Sequence, residues 1–408
     1  MSAAPDPTPA TAPADRPARR LDGLLQPLGT ERFFAEGFGR RTLHLQGTAA
    51  RVADVMTLAE LNRLLNMTTV WTPRTLQIVI DRRAVVAEEY CRPARDTEGL
   101  RPVPALVTEW LRRGASLVLN NISELNDGMA EIAAGLRAAT GAGVQANLYF
   151  SRRGRQAFAP HYDTHEVFAL HCHGEKRWRI FANRADAPTQ RSQAVDRDLG
   201  HKRPEGERMH EVTLRPGDLL YLPRGQFHDA LASSEATIHV SFAVSMPIGV
   251  DLLRFLADEG VLDGALRRDL PRGLAPDALA AAAGRVGERL GAMTRDPRFL
   301  DALRRHLLAR APAFDRYDLA AALAAPVRYR PARDGGTTLR REGDGLVAEG
   351  RFGRRPIPPR LHPVVQWAAA RQAPFARDDV AGAFPGLTDP QVDQAIESLL
   401  NLAVVELA

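Results

Sequence analysis

The region from about residue 144 to 246 contains short apolar segments separated by turns, and this pattern limits the possible folds more than any other feature of the chain. Segments such as VQANLYFS (144–151), EVFALHC (166–172) and DLLYLP (218–223) have the length and composition of strands and are bounded by turn residues. Many short strands in succession predict an all-β barrel or a double-sheet jelly roll. This region is therefore predicted to be the β core of an α+β protein.

Helical patterns surround this β core and indicate further domains. A single core rarely grows beyond about 250 to 300 residues, so 408 residues favour two or three domains. Residues 1–20, rich in Ala and Pro, are predicted to be a disordered leader, and 21–45 a short amphipathic helix that leads into a strand. The predicted domains are a cupin-like domain (21–248), a helical domain suited to dimerisation (249–330) and a winged-helix-like domain (331–408).

The C-terminal region combines a hairpin with helices, which is the pattern of a winged-helix module. The hairpin is predicted to turn at Asp344-Gly345, and Thr388 with Gln391 forms a capping box at the start of a helix over 389–401. That helix carries acidic residues but no Lys or Arg. Its charge has the wrong sign for contact with phosphates, so a cupin-type DNA-binding regulator is disfavoured and no direct DNA binding is expected.

Cysteine usage and hydropathy indicate the compartment. Cys91 and Cys172 are the only cysteines, and they form neither a disulfide framework nor a zinc knuckle, which favours a reducing environment. No apolar run reaches the roughly 18 residues that a membrane span needs, and the first residues have no apolar signal region. The sequence therefore predicts a cytoplasmic protein that does not bind a membrane.

Two short motifs bring metal-seeking side chains to the β core. His161 and Asp163 are two residues apart, so on a strand both side chains project from one face. Downstream, GDLLYLPRGQFH (217–228) combines a turn, a buried strand and a bend that delivers His228 to the mouth of the barrel. Two imidazoles and one carboxylate form the set that binds Fe(II) on one face and leaves positions open. A zinc or manganese site and a structural role for His228 remain alternatives.

A lysine in the same region suggests an anion site. Of 54 basic residues only Lys176 and Lys202 are lysines. In a chain that otherwise uses arginine, a lysine inside a β-strand suggests a specific role and not an ordinary surface position. Trp178 and Ile180 share its face of the strand. If 2-oxoglutarate chelates the metal, its far carboxylate needs a fixed cation, and a slim ammonium fits where a guanidinium is too wide. A surface lysine is the alternative.

Together these stretches resemble the JmjC-type ribosomal oxygenases, which are cupin-like protein hydroxylases dependent on Fe(II) and 2-oxoglutarate. The strings LLQPLGTERFFAEGFGRRTLHLQG (24–47), ANLYFSRRGRQAFAPHYDTHEVFALHCHGEKRWRIF (146–181) and LRPGDLLYLPRGQFHDAL (214–231) carry the resemblance, and the helical tail extends it over nearly the whole chain from about residue 21. The resemblance implies a double-stranded β-helix with flanking helices, a helical dimerisation region and a C-terminal winged-helix module.

The resemblance also implies roles for individual residues. The family's metal ligands match His161, Asp163 and His228, and the lysine that binds the far carboxylate of 2-oxoglutarate matches Lys176. Further positions near the cosubstrate match Asn147, Tyr149 and Ser241. The family implies a homodimer and a substrate that is an arginine or histidine of a ribosomal protein.

Other functions and several residues stay open. A 2-oxoglutarate oxygenase of a small molecule or a peptide natural product is an alternative, whereas a cupin isomerase has no use for Lys176. His239 and Cys172 are interpreted as core residues. The sequence assigns no definite role to His165, His171, His173, Arg152, Arg153 and Arg155.

Overall fold

The chain divides into two compact units, residues 1–314 and 315–408. The structure, a computed structural model, describes residues 16–94, 99–154, 159–193, 208–309, 326–332, 337–350 and 353–408. The first fifteen residues of the predicted leader lie outside these ranges. Within the ranges, no helix combines the length and apolar character that a membrane span requires.

The first unit contains helices before and after its β core. Their bounds are Arg16–Leu24 (α1), Thr30–Glu36 (α2), Leu58–Leu65 (α3), Pro104–Arg112 (α4), Asp127–Thr140 (α5), Gly249–Gly260 (α6), Pro276–Met293 (α7) and Pro297–Ala309 (α8). Helices α6 to α8 share a small apolar cluster of Phe255, Leu256 and Phe299.

Helix α1 begins inside the predicted disordered leader, so that prediction is wrong for residues 16–20. The helix packs against α5, where a Cβ atom on Gly135 would lie only 2.5 Å from the carbonyl oxygen of Pro17. Arg16 adds an ion pair to Glu131 at 2.9 Å. These contacts stabilise a helix in a segment whose composition alone resembles a flexible tail. The prediction missed it because the stabilising partner, α5, lies more than a hundred residues away in the sequence.

The β core of this unit is built from strands of two main sheets. Strand bounds are Leu43–Leu45 (β1), Leu76–Ile80 (β2), Arg83–Ala84 (β3), Cys91–Pro93 (β4), Leu100–Pro102 (β5), Ser116–Leu119 (β6), Gly143–Arg152 (β7), Glu166–His173 (β8), Lys176–Arg184 (β9), Arg208–Leu214 (β10), Leu219–Leu222 (β11), Gln226–Ala232 (β12) and Ala236–Ser245 (β13). The major sheet has the order β1-β11-β8-β13-β7-β6-β2-β3, and the minor sheet β10-β9-β12. A hairpin pairs β4 with β5.

The two sheets enclose the barrel interior. One apolar cluster takes residues from both, with Val167 and Leu220 of the major sheet beside Trp178 and Leu214 of the minor sheet. The opposite face of the major sheet packs against the N-terminal helices in a larger core, so the central strands of that sheet are covered on both sides. The prediction of a double-stranded β-helix with flanking helices is confirmed.

Two glycines explain the spacing of the motif before His228. Gly217 has φ +99°, and a Cβ atom there would meet the carbonyl oxygen of Thr48 at 2.1 Å. Gly225 has φ +87°, and its Cβ would meet the carbonyl oxygen of Ala185 at 2.2 Å. Both positions need a left-handed backbone and a close approach, which only glycine permits without strain.

The second unit contains short strands and helices. Their bounds are Arg328–Pro331 (β14), Thr338–Glu342 (β15), Gly345–Gly350 (β16), Gly353–Ile357 (β17), His362–Ala369 (α9), Phe375–Ala376 (β18), Arg377–Ala383 (α10), Asp389–Asn401 (α11) and Val405–Leu407 (β19). Strand β14 lies between β18 and β19 in one sheet, and β15, β16 and β17 form another. The capping box of Thr388 and Gln391 at the start of α11 is confirmed.

Two details of the C-terminal prediction are corrected. Glu342 pairs with Gly345, so the hairpin turns at Gly343-Asp344, where Gly343 supplies the left-handed backbone with φ +56°. Residues 328–330, placed in the helical domain by the sequence, hydrogen-bond with β18 and β19 and belong to the second unit. Its resemblance to a winged helix remains a prediction.

Candidate metal centre and adjoining cavity

His161, Asp163 and His228 converge at one end of the β core. One ligand atom from each residue lies within 4.8 Å of the other two. The Nε2 atom of His228 is 3.5 Å from Oδ2 of Asp163, and the two imidazole centroids are 4.6 Å apart. The donor set of two imidazole nitrogens and one carboxylate oxygen suits a divalent transition metal and leaves positions open for other ligands.

Main-chain hydrogen bonds hold the two motifs together. His161 and His228 form an isolated antiparallel bridge in which each backbone N–H donates to the other residue's carbonyl, at 3.0 and 2.8 Å. The backbone N–H of Gly225 donates to the carbonyl of Asp163 at 2.9 Å. The prediction that His161 and Asp163 lie on a regular strand is therefore wrong in detail, since only His161 pairs and Asp163 follows in a loop.

Both imidazoles are oriented by the same local interaction, a contact between Nδ1 and the carbonyl oxygen two residues earlier. Nδ1 of His161 lies 2.8 Å from the carbonyl oxygen of Ala159, and Nδ1 of His228 lies 2.9 Å from that of Gln226. A carbonyl can only accept, so Nδ1 carries the proton in both rings and Nε2 keeps its lone pair. Such partners fix the tautomer and the ring direction that a metal ligand needs.

The side chain of Gln226 secures an irregular stretch of the minor sheet. The register between β12 and β9 shifts between Gln226 and His228, which leaves carbonyls of β9 without their strand partners. Nε2 of Gln226 donates to the carbonyls of Phe181 at 2.7 Å and Asn183 at 3.2 Å. Gln226 thus supports the bulge with its side chain and orients His228 with its carbonyl. Sequence reasoning treated it only as a spacer.

The charges of the triad favour metal uptake at neutral pH. Burial, with His161 alongside, lowers the pKa of His228 to about 4, so its imidazole is neutral and able to coordinate. Burial opposes the charge of Asp163, but the neighbouring imidazoles, led by His228, outweigh it and hold the pKa of that carboxyl below its ordinary value. The site therefore offers an anionic carboxylate at Asp163 and a neutral imidazole at His228.

A cavity of about 490 Å³ extends from the triad into the β core. It is lined by Tyr149, Ala159, Pro160, His161, Tyr162, Asp163, Val167, Lys176, Trp178, Gln193, His228, Ala230, His239 and Ser241. The structure thus brings Lys176, Tyr149 and Ser241 to the same cavity as the triad. Asn147 is not among these residues, and its side-chain oxygen accepts from the backbone N–H of Asn121 at 3.1 Å.

Lys176 lies at the start of β9 and is only 3% exposed. Its Nζ atom is 3.4 Å from Nδ1 of His239. Burial lowers the pKa of Lys176 to about 7, because an enclosed ammonium loses its hydration. A buried cation on the wall of a cavity that also holds a metal-binding triad is suited to an anionic ligand that reaches both.

Sequence reasoning missed His239 and Gln193 as cavity residues. His239 is buried, as predicted for a core residue, but its ring faces the cavity. A usable signal was present, because His239 precedes Ser241 by two residues on a strand and must share its face. Gln193 reaches the cavity from outside the barrel strands and donates to the carbonyl of Tyr162 at 2.7 Å.

The extra histidines do not line the cavity in the described part of the chain. Nδ1 of His165 lies 3.2 Å from the carbonyl oxygen of Glu166. His171 is fully buried, and its Nε2 lies 2.9 Å from the carbonyl oxygen of Gly174. Burial lowers the pKa of His171 to about 4, so it serves as a neutral packing residue.

Comparisons with known proteins identify a domain family and relatives of this chain. A family model described as the JmjC domain matches residues 119–252. The Dictyostelium discoideum protein named bifunctional lysine-specific demethylase and histidyl-hydroxylase NO66 is 30% identical, covering 62% of this chain and 49% of the relative. Ribosomal oxygenase 2 of Bos taurus is 29% identical, covering 69% and 60%. The chain thus spans about half to 60% of the length of these relatives.

Among solved structures, the ribosomal oxygenase YcfD of Escherichia coli aligns with a TM-score of 0.48 and 18% identity, covering 93% of this chain and 98% of that one. The family model and the sequence relatives confirm the resemblance that the motifs indicated.

Proposed function

We propose that this chain, a sequence relative of the ribosomal oxygenases with a JmjC domain at residues 119–252, is an Fe(II)- and 2-oxoglutarate-dependent protein hydroxylase. One observation carries the proposal: a triad of two imidazoles and a carboxylate shares a cavity with a buried lysine. A metal site alone fits hydrolases as well. The added cation fits a cosubstrate that chelates the metal at one end and carries a carboxylate at the other.

His161, Asp163 and His228 would hold the iron. Three protein ligands leave coordination positions for a keto acid and for dioxygen. The bound iron supplies the activation of dioxygen, which the protein cannot perform with its own side chains. The chain's residues provide orientation, because the carbonyls of Ala159 and Gln226 fix the rings so that Nε2 would face the ion.

Lys176 would bind the far carboxylate of 2-oxoglutarate. The keto oxygen and the other carboxylate of 2-oxoglutarate would then reach the metal. Tyr149 and Ser241 would contact the cosubstrate, and their position in the lining of the same cavity supports this. Asn147 is also proposed to lie near the cosubstrate, because it pairs with Ser241 across β13 and β7 and shares a face of β7 with Tyr149, although it is not among the residues that line the cavity.

A side chain of a ribosomal protein is the proposed substrate, and arginine or histidine is the proposed residue. The names of the relatives support a ribosomal and a histidyl target. One oxygen atom of dioxygen would enter the side chain as a hydroxyl group, and the other would enter succinate as 2-oxoglutarate loses carbon dioxide.

A homodimer through helices α6 to α8 is also proposed. These helices expose large apolar side chains, among them Leu253 of α6 at 61% and Leu300 of α8 at 47%. Exposed apolar patches of this kind mark protein interfaces. Light scattering on the purified chain tests the proposal, and a monomer at micromolar concentration contradicts it.

The test of function is the mass of ribosomal proteins from the source organism. Ribosomes from a strain lacking this gene should contain one protein lighter by one oxygen atom than in the parent, and the wild-type gene should restore the mass. His228→Ala should fail to restore it. His173→Ala, a matched loss of a histidine outside the cavity, should succeed. Restoration by His228→Ala would remove the proposed site.

A further inference from the structure

We infer that His239 is a positioning residue for the cosubstrate: its neutral imidazole holds the Lys176 ammonium in place and leaves the positive charge available to a carboxylate. The inference rests on the proposed function and adds a residue to the site that the motifs did not assign. It concerns the end of the cavity at Lys176, called the deep end below, where the ring of Trp178 contacts both His239 and the metal ligand His228.

The ring of His239 is held in a fixed orientation by its neighbours. It pairs with Tyr149 across strands β13 and β7 and stacks on that ring, with centroids 4.8 Å apart and planes within 9°. Trp178 meets it edge to face at 5.3 Å. The side chain is only 5% exposed. A ring packed in this way cannot turn away from Lys176 without disturbing both aromatic contacts.

The chemistry of the contact fixes the proton on the imidazole. An ammonium group only donates, so when Lys176 is protonated Nδ1 of His239, 3.4 Å from Nζ of Lys176, is the acceptor. The neutral ring then carries its proton on Nε2. Burial and the charge of Lys176 agree with this, since they hold the pKa of His239 well below its ordinary value.

Because the acceptor of the Lys176 ammonium is a neutral imidazole and not a carboxylate, the positive charge of Lys176 stays available to a ligand. Among the residues that the structure describes, no Asp or Glu forms an ion pair with Lys176, and only burial shifts its pKa. An acidic residue at position 239 would neutralise the ammonium within the protein. Histidine orients the group, uses one of its three hydrogens and leaves the charge for a ligand.

The contact separates two explanations of why His239 is buried. If the ring only fills space between Tyr149 and Trp178, an apolar residue of similar size should preserve ligand binding. If the ring positions Lys176, ligand binding should depend on an acceptor atom at the place of Nδ1, and on that atom being uncharged.

The experiment uses an isosteric pair of variants in the full-length chain. In His239→Asn the amide oxygen occupies the place of Nδ1, and in His239→Asp a charged oxygen does. Binding of 2-oxoglutarate to the Co(II)-loaded protein is measured by calorimetry, alongside binding of 2-oxobutyrate, which lacks the far carboxylate. Affinity for Co(II) and the melting temperature are recorded for each variant.

We expect His239→Asn to bind 2-oxoglutarate within about threefold of wild type, because the acceptor is retained. His239→Asp should bind it about 100-fold more weakly and lose its preference over 2-oxobutyrate, because Lys176 is paired internally. His239→Leu should be about tenfold weaker. Co(II) affinity should stay unchanged in all three variants.

Equal binding by the Asn and Asp variants, whether retained or lost, overturns the inference, and this comparison does not depend on the Leu variant folding. Wild-type protein that binds Co(II) but not 2-oxoglutarate would instead contradict the proposed function. The two failures are therefore distinguishable.

Discussion

The two ends of the cavity are built in different ways. At the metal end, backbone carbonyls orient both imidazoles, and a backbone bridge joins His161 to His228. At the deep end, Lys176 is held by the His239 ring, which is itself held by Tyr149 and Trp178. The metal end depends on the main chain of two short motifs. The deep end depends on side chains from three strands of two sheets.

This difference predicts how each end responds to substitution. A ligand whose orientation comes from the backbone can be removed without disturbing its partner, so losses there should be confined to metal binding. The ammonium group of Lys176 is held by packed rings, so substitutions among these neighbours should lower the affinity for 2-oxoglutarate by differing amounts. The effects of four changes, taken in decreasing size, test this contrast.

Removal of a metal ligand should have the largest effect. His228→Ala should weaken Co(II) binding more than about 100-fold, because even outer partners of metal ligands contribute 10- to 100-fold. Metal titration followed by cobalt absorption measures it, with His173→Ala as the matched control. A variant that binds Co(II) as the wild type does would show that the triad is not the site.

Removal of the cation should affect only the cosubstrate. Lys176→Met keeps the length of the side chain without its charge and should weaken 2-oxoglutarate binding about 10- to 100-fold, the usual range for a hydrogen bond to a charged group. Co(II) affinity should remain that of the wild type. Equal loss of both affinities in calorimetry would indicate that Lys176 maintains the fold and not the ligand site.

The charge of Lys176 should make cosubstrate binding pH-dependent. Burial lowers its pKa to about 7, so above that pH a growing fraction of the ligand-free protein carries a neutral amine and must take up a proton to bind a carboxylate. The affinity for 2-oxoglutarate should therefore fall by up to about tenfold for each pH unit above 7. Calorimetry in Lys176→Met should show no such slope, and the same slope there would assign it to another group.

The smallest effect should come from the support of the bulge. Gln226→Leu removes the donor to the carbonyls of Phe181 and Asn183, and an unsatisfied buried polar group costs about 1 to 3 kcal/mol of unfolding free energy. Co(II) affinity should fall less than in His228→Ala, because the backbone carbonyl of residue 226 still faces the imidazole. Urea unfolding and metal titration measure the two effects. An unchanged stability would show that water replaces the amide.

The same contrast explains which residues sequence reasoning could find. His161, Asp163 and His228 stand in motifs whose spacing is visible in the chain, and Lys176 is conspicuous because arginine fills almost every other basic position. His239 lies in ATIHVSFAV, where it alternates with apolar residues and shares a face of the strand with Ser241, so its direction is visible in the sequence. Its contact with Lys176 is not visible, because β9 and β13 lie far apart in the chain.

Helix α1 illustrates the same limit for the fold. Its first residues, Arg16 to Arg20, continue a segment with the composition of a flexible tail, and only the close approach to Gly135 makes it helical. The barrel strands were predictable because their turns and apolar runs are local. The partners that order α1 and place His239 are not.

Lys176 is buried, and no acidic residue in the described part of the chain pairs with it. An enclosed positive charge of this kind lowers the stability of the protein without ligand relative to that of the ligand-bound protein. Any dicarboxylate that enters removes this handicap, and by mass action a ligand at 100 times its dissociation constant adds about 2.7 kcal/mol to the folded state. The survival of the protein against heat and proteases would then follow the supply of the proposed cosubstrate, so that protein abundance rises with the concentration of 2-oxoglutarate.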